Sequence, residues 1–195
     1  PGVLYIGDVS WNSYEDLHVA DTAGLNFGWP LFEGLTPNSS YQGATAYNRD
    51  APNPLYGTGG CTQQFLQFKH LCIQDTLTAT PSWPNPCNTG QQIPSTLYRF
   101  KHSRPAIDWQ HGSAHARTGI WNGTSASQVD LNNVNSPVPG PVFAGNASVG
   151  GAWYTGNKYP PAYMNSYFNG DYGAGWIKCF KFKPNNAPDS VKDFA

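Results

Sequence analysis

Tyr167-Phe168-Asn169-Gly170-Asp171-Tyr172 is followed closely by Gly175-Trp176-Ile177-Lys178-Cys179-Phe180-Lys181-Phe182. Apolar and polar residues alternate through these runs, and the junction between them carries glycine. A two-residue period on both sides of a short turn reads as a β-hairpin. Upstream, Val149 to Thr155 is a further strand with a Gly-Gly pair near its start, and Tyr159-Pro160-Pro161-Ala162-Tyr163 is a turn. The tail from Lys183 is polar and is expected to be loose.

Strand, turn, strand, Gly-rich turn, strand is the pattern of one blade of a β-propeller. Nearer the start, Val3 to Val9 forms an apolar strand ending around Asp8. A polar turn, Ser10-Trp11-Asn12-Ser13-Tyr14, leads to a short strand at Asp16-Leu17-His18-Val19. Further strand-like runs begin at Thr96-Leu97-Tyr98-Arg99-Phe100 and at Ala106-Ile107-Asp108-Trp109. Residues 36–54 and 122–141 are rich in Asn, Ser and Pro and read as loops. Residues 57–94 keep neither a strand nor a helix period for long and read as an insertion.

Composition agrees with an all-β chain. Only 12% of the 195 residues are charged, whereas 21 are Gly, 17 are Pro and 14% are aromatic. Helical bundles draw on long runs of Ala, Leu, Glu and Lys, and disordered chains on high charge with few aromatics, so both are disfavoured. The formal net charge is −1 with no basic block, which argues against nucleic acid. No apolar run of about 18 residues is present to span a bilayer. The opening Pro1-Gly2-Val3-Leu4-Tyr5-Ile6 reads as the inside of a strand and implies a mature protein or a fragment.

Four cysteines, Cys61, Cys72, Cys87 and Cys179, allow three pairings. Three of them fall in one Pro/Asn/Thr-rich stretch, which a disulfide would restrain. Cys61–Cys72 is expected as a local bridge, with Cys87–Cys179 as the second pair. Sequons at Asn38, Asn122 and Asn146 occur about as often as chance supplies. Taken with the cysteines, they agree with a secreted, glycosylated protein.

Two blocks resemble a known family. The first is Gly7-Asp8-Val9-Ser10-Trp11-Asn12-Ser13-Tyr14-Glu15-Asp16-Leu17, then Gly24-Leu25-Asn26-Phe27-Gly28-Trp29-Pro30 and Glu33-Gly34. It is similar to the G-D-V-G-Q-x-x-x-E-E-I…G-G-N-Y-G-W-P…E-G signature of glucose/sorbosone dehydrogenases. The second is Val149-Gly150-Gly151-Ala152-Trp153-Tyr154-Thr155-Gly156, Tyr159-Pro160 and Tyr167 to Tyr172, which resembles the family's T-G-G-x-x-Y-x-G…F-P…Y-x-F-G-D-Y stretch. The resemblance implies the C-terminal portion of a six-bladed propeller, spanning residues 1–182 with the insertion at 57–94 and a tail at 183–195. A full propeller of that kind is more than twice this length, so about two to three blades of four-stranded antiparallel sheet are expected. The remaining blades, or another chain or a second copy, would have to cover the open edges.

The resemblance also implies chemistry. The carbonyls of Ser10 and Trp11 would face a quinone cofactor, pyrroloquinoline quinone (PQQ), and Glu15, Asp16 and the Phe27 carbonyl would hold a structural calcium. Calcium takes about six to eight hard oxygens and mixes carboxylates with carbonyls. The bland alternative is that Glu15 and Asp16 are solvated turn acids. Sugar oxidation in the family needs a histidine as base, and that histidine belongs to an earlier blade, so none is assigned here. The turn Asp171-Tyr172-Gly173-Ala174-Gly175-Trp176 lacks the basic side chains that neutralise a quinone's carboxylates in soluble relatives.

His102, Asp108, His111 and His115 lie close in sequence, as a metal site would need, but the histidines read as ordinary loop residues. Trp11, Trp83, Trp121 and Trp153 are candidate sugar platforms, although tryptophans in β proteins are mostly core. Two functional expectations follow. One is an extracellular sugar dehydrogenase-like propeller, oxidising an aldose-type sugar in its full-length form. The other is a non-catalytic structural or carbohydrate-recognition protein that reuses the fold.

Overall fold

The structure, a computed structural model, describes residues 2–74 and 80–194. Pro1, residues 75–79 of the 57–94 stretch, and Ala195 of the tail lie outside the described residues. The chain is all-β, with two antiparallel sheets as its main body. The first sheet runs in the order β1 (Leu4–Asp8), β2 (Tyr14–Ala20), β3 (Ile107–Gln110), β4 (Ala116–Trp121) and β5 (Ala126–Asp130). The second runs β6 (Ser148–Tyr154), β7 (Ser166–Asp171), β8 (Trp176–Phe182) and β9 (Pro188–Asp193). Each is a meander, because every strand pairs with its neighbours in this order.

The two sheets bury one core between them. Leu17, Ile107, Trp109, Ala116 and Leu131 come from the first sheet and its margin, and Tyr167, Phe180 and Val191 from the second. Trp109 is fully buried, and its indole N–H donates to Asp171 Oδ2 at 3.0 Å, which ties the sheets together. Near β1 and β6 the backbones almost touch. A Cβ on Gly7 would lie 2.5 Å from the Gly150 amide nitrogen, so glycine alone allows that approach.

Between β2 and β3 the chain leaves the sheet at Ala20 and returns at Ile107. This excursion builds short two-stranded pieces and a core of its own from Ala51, Leu66, Leu71, Trp83 and Ile93. Its hairpin of Phe32–Glu33 with Thr36–Pro37 lies against the face of the first sheet that is turned away from the second.

Several expectations need correction. The tail is not loose over its length: Pro188–Asp193 is the fourth strand of the second sheet. Val191 is its one buried apolar residue, and Lys178 pairs with Asp193. Its polarity hid it, since an edge strand needs few apolar contacts. Ala126–Asp130 is a strand inside the expected 122–141 loop. It follows a turn in which Asn122 Oδ1 accepts the Thr124 and Ser125 amides. Of the 96–100 run only Phe100 enters a strand, Phe100–His102, which pairs in parallel with Cys72–Gln74.

The expected bridges are also corrected. Cys61 is bonded to Cys87, with their Cα atoms 5.5 Å apart, and Cys72 and Cys179 are free, buried thiols. Cys72 belongs to a strand of the excursion, and Cys179 lies in the middle of β8 opposite Phe168, buried on the sheet's outer face, so each serves as a small apolar side chain. Burial pushes the Cys72 thiol up to about 11, which leaves it unreactive.

Candidate functional site

Five ionisable residues stand in register across the whole first sheet. Asp8 is opposite Asp16, Asp16 opposite Asp108, Asp108 opposite Arg117, and Arg117 opposite Asp130. Residues directly opposite share a face, so the row lies on the side covered by the 32–37 hairpin. That hairpin partly satisfies it. Gly34 N–H donates to Asp16 Oδ2 at 3.1 Å, and Leu35 N–H donates to Asp108 Oδ2 at 2.9 Å. Arg117 donates to Asp108 and to Thr36 Oγ1 and lies over the Tyr14 ring. Gly34 has φ +61°, and a Cβ there would meet Asp108 Oδ2 at 2.5 Å, so glycine is required.

The row carries four carboxyl groups and one guanidinium, and the deficit of positive charge falls at the Asp8–Asp16 end. Burial, then the charges of Asp108 and Asp8, push the Asp16 carboxyl well above its usual range. Burial also raises Asp8 and Asp108. Asp16 Oδ1 has no hydrogen-bond partner. His18 Nε2 sits 3.9 Å from both Asp8 Oδ2 and Asp16 Oδ2. Its ring is stacked on Phe27, with centroids 4.2 Å apart, and its Nδ1 is unpartnered. Burial, then the neighbouring His102, lowers His18 to about 3, so near neutrality the imidazole is uncharged and its lone pair is available. Potential ligand atoms of Asp8, Asp16 and His18 lie within 4.8 Å of one another.

This end of the row opens into a cleft of about 600 Å³ lined by Asp8, Ser10, Trp11, Asp16, Phe27, Trp29, Glu33 and Tyr41 among others. Glu33 shapes its rim. Its Oε1 accepts the Ser10 hydroxyl at 2.9 Å and the Asn12 and Ser13 amides at 2.7 Å each. Burial opposes the Glu33 charge, but those donors outweigh it and hold the carboxyl below its usual range. The opposite rim is aromatic. Trp11, Trp29 and Tyr41 are 60%, 53% and 36% exposed, and their ring centroids lie 5.8–6.2 Å apart.

Of the residues singled out in the sequence, Ser10, Trp11, Asp16 and Phe27 meet in this cleft. Glu15 does not. Adjacent strand residues face opposite ways, and Glu15 points into the junction of the sheets, where it is fully buried. There its Oε1 lies 2.6 Å from His111 Nε2, and its Oε2 accepts the Ser148 amide at 2.6 Å. Asp8 and His18 were missed, because their meeting depends on the β1–β2 register. Trp83 is core, Trp153 packs against the main core, and Trp121 is half-buried away from the cleft lining. Trp29 takes the place these three were expected to fill. Asn122 and Asn146 are exposed and Asn38 is half-buried.

The quinone that the resemblance implies does not fit. Among the described residues, the cleft lining holds three carboxyl groups, Asp8, Asp16 and Glu33, and neither Lys nor Arg. A cofactor bearing several carboxylates would meet like charge from this lining with no cationic side chain to offset it. The spacing of the Asp8, Asp16 and His18 ligand atoms, within 4.8 Å of one another, is compatible with a cation. Among the described residues, no helix is long and apolar enough to cross a membrane. No protein-family model, curated protein or solved structure matches the chain.

Proposed function

We propose that the cleft is a carbohydrate-recognition site of an extracellular protein, with a divalent cation bound between Asp8 and Asp16. The observation that carries this reading is one hollow in which three exposed aromatic rings face a row of carboxyl groups short of positive charge. Sugar rings stack their C–H faces on aromatic planes, and carboxylates accept hydrogen bonds from their hydroxyls. The cation offsets the repulsion between Asp8 and Asp16. Calcium is the ion the resemblance implies. His18 adds a nitrogen donor, which suits manganese or zinc better.

The disulfide and the exposed sequons support secretion. Two consecutive meanders, joined through their first strands, support a partial propeller whose other blades, or a partner, complete it. The outer face of the second sheet supports the same idea: Tyr154, Tyr159, Tyr163, Phe168 and Phe194 pack on one another there rather than on the core.

The test is a titration of neutral mono- and oligosaccharides followed by tryptophan fluorescence, with and without chelator. Saturable quenching is expected, lost in Trp11→Ala and weakened by chelator, together with a lower melting temperature in chelator. A flat response to every sugar sinks the reading. Sugar oxidation by the full-length protein is the rival that the resemblance implies, and the acidic lining of this cleft disfavours it. Sugar-dependent quinone reduction in reconstituted full-length protein would establish that rival instead.

A further inference from the structure

Trp29 and Tyr41 each have two sides. One borders the polar cleft; the other borders a second hollow of about 450 Å³, lined by Asn26, Pro30, Leu31, Ala46, Phe68 and Phe100 among others. Among the described residues, no charged side chain lines this second hollow. Phe68 is 43% exposed at its margin, and Trp29 and Tyr41, in ring contact with Trp11, wall its other side, so exposed rings flank both hollows. Exposed apolar groups clustered beside a polar hollow mark binding surfaces more often than idle surface.

A wall shared by a carboxylate-lined hollow and an uncharged one fits a ligand with two unlike ends. We infer that the protein binds glycosides carrying an apolar, aryl-sized aglycone. The sugar occupies the cleft beside Ser10, Glu33 and Asp8, and the aglycone passes the Trp29–Tyr41 wall into the second hollow. The inference rests on the carbohydrate reading for the sugar end only. The aglycone end stands on the lining itself: a hollow of this size is within the ~300–1,000 Å³ that holds small organic ligands. It is walled by aromatic rings that stack on another ring.

The experiment is calorimetric titration of the chain with methyl and 2-naphthyl glycosides of the same sugars, in wild type, Ala46→Trp and Trp11→Ala. Ala46→Trp fills the second hollow from an exposed position, and its melting temperature reports that folding is intact. In wild type the naphthyl glycoside is expected to bind at least tenfold tighter than the methyl glycoside. Ala46→Trp should abolish that advantage and leave the methyl glycoside within about twofold of wild type. Trp11→Ala should weaken both ligands. Equal affinities in wild type, or an advantage that survives Ala46→Trp, overturn the aglycone pocket while leaving the sugar reading intact. Naphthyl binding that is indifferent to the sugar and to Trp11→Ala overturns the sugar reading and with it the two-ended ligand. No binding by any glycoside overturns both.

Discussion

Asp16 and Asp108 stand directly opposite one another on adjacent strands, both buried, and Arg117 donates to Asp108 but not to Asp16. One guanidinium therefore supports one end of a carboxyl row whose other end reaches the cleft. Removing one partner of a buried ion pair leaves an uncompensated charge and costs about 3–5 kcal/mol. Arg117→Leu is expected to lower unfolding stability by that amount in urea denaturation. A loss below about 1 kcal/mol would mean that Asp108 is neutral in the folded protein.

The same row sets opposite pH dependences. His18 is held at about 3 when folded, against 6.5 ordinarily, so its contribution to stability is present above pH 6.5 and lost as pH falls towards 3. Asp16 is raised, so its contribution is fully present below its ordinary value and lost as pH rises through its folded value. Between pH 6.5 and 4, without added cation, His18→Asn should flatten the acid loss of stability by about 1.4 kcal/mol per pH unit at most, equivalent to one proton. Asp16→Asn should steepen it. Identical slopes in all three proteins would remove the row as the cause.

Much of the strand framework was legible because burial on one face imposes a two-residue period. Ile107–Gln110 and the 166–182 hairpin show it, whereas Leu4–Asp8 was legible as an apolar run. Pro188–Asp193 was not legible, since one valine among polar residues gives no period. The cleft was half legible. Ser10, Trp11 and Asp16 lie within a few residues of each other, and a turn brings them together. Asp8 and His18 join Asp16 only through strand register, and Trp29 and Tyr41 only through the fold of the excursion; neither leaves a local signal. The separation of Glu15 from Asp16 could have been read from strand alternation had the strand been extended back to Tyr14.

The Cys61–Cys87 bond closes a loop of sequence separation 26 within the excursion. Chain-entropy reasoning gives such a loop about 3.5 kcal/mol. Reduction should destabilise the excursion by that order, read as lost hydrogen-exchange protection around Leu66 and Leu71, while the 166–182 hairpin stays protected. Thiol titration of the unreduced protein should find two thiols, reactive only in denaturant, because Cys72 and Cys179 are buried. Four reactive thiols, or none, would contradict the pairing.

Where the sheets join, Gly7→Ala puts a methyl group against the Gly150 backbone. Neither strand can yield without disturbing its own pairing, so overpacking should cost about 1–3 kcal/mol. Unchanged stability in chemical denaturation would show that the sheets are free to separate there.

The most direct measurement is anomalous diffraction from crystals grown or soaked with manganese. A peak bounded by the Asp8 and Asp16 carboxylates and His18 Nε2, weakened in Asp8→Asn, is the expected result. Saturating manganese with no density between those three side chains would contradict the cation site, and the row would then hold its excess charge by protonation alone.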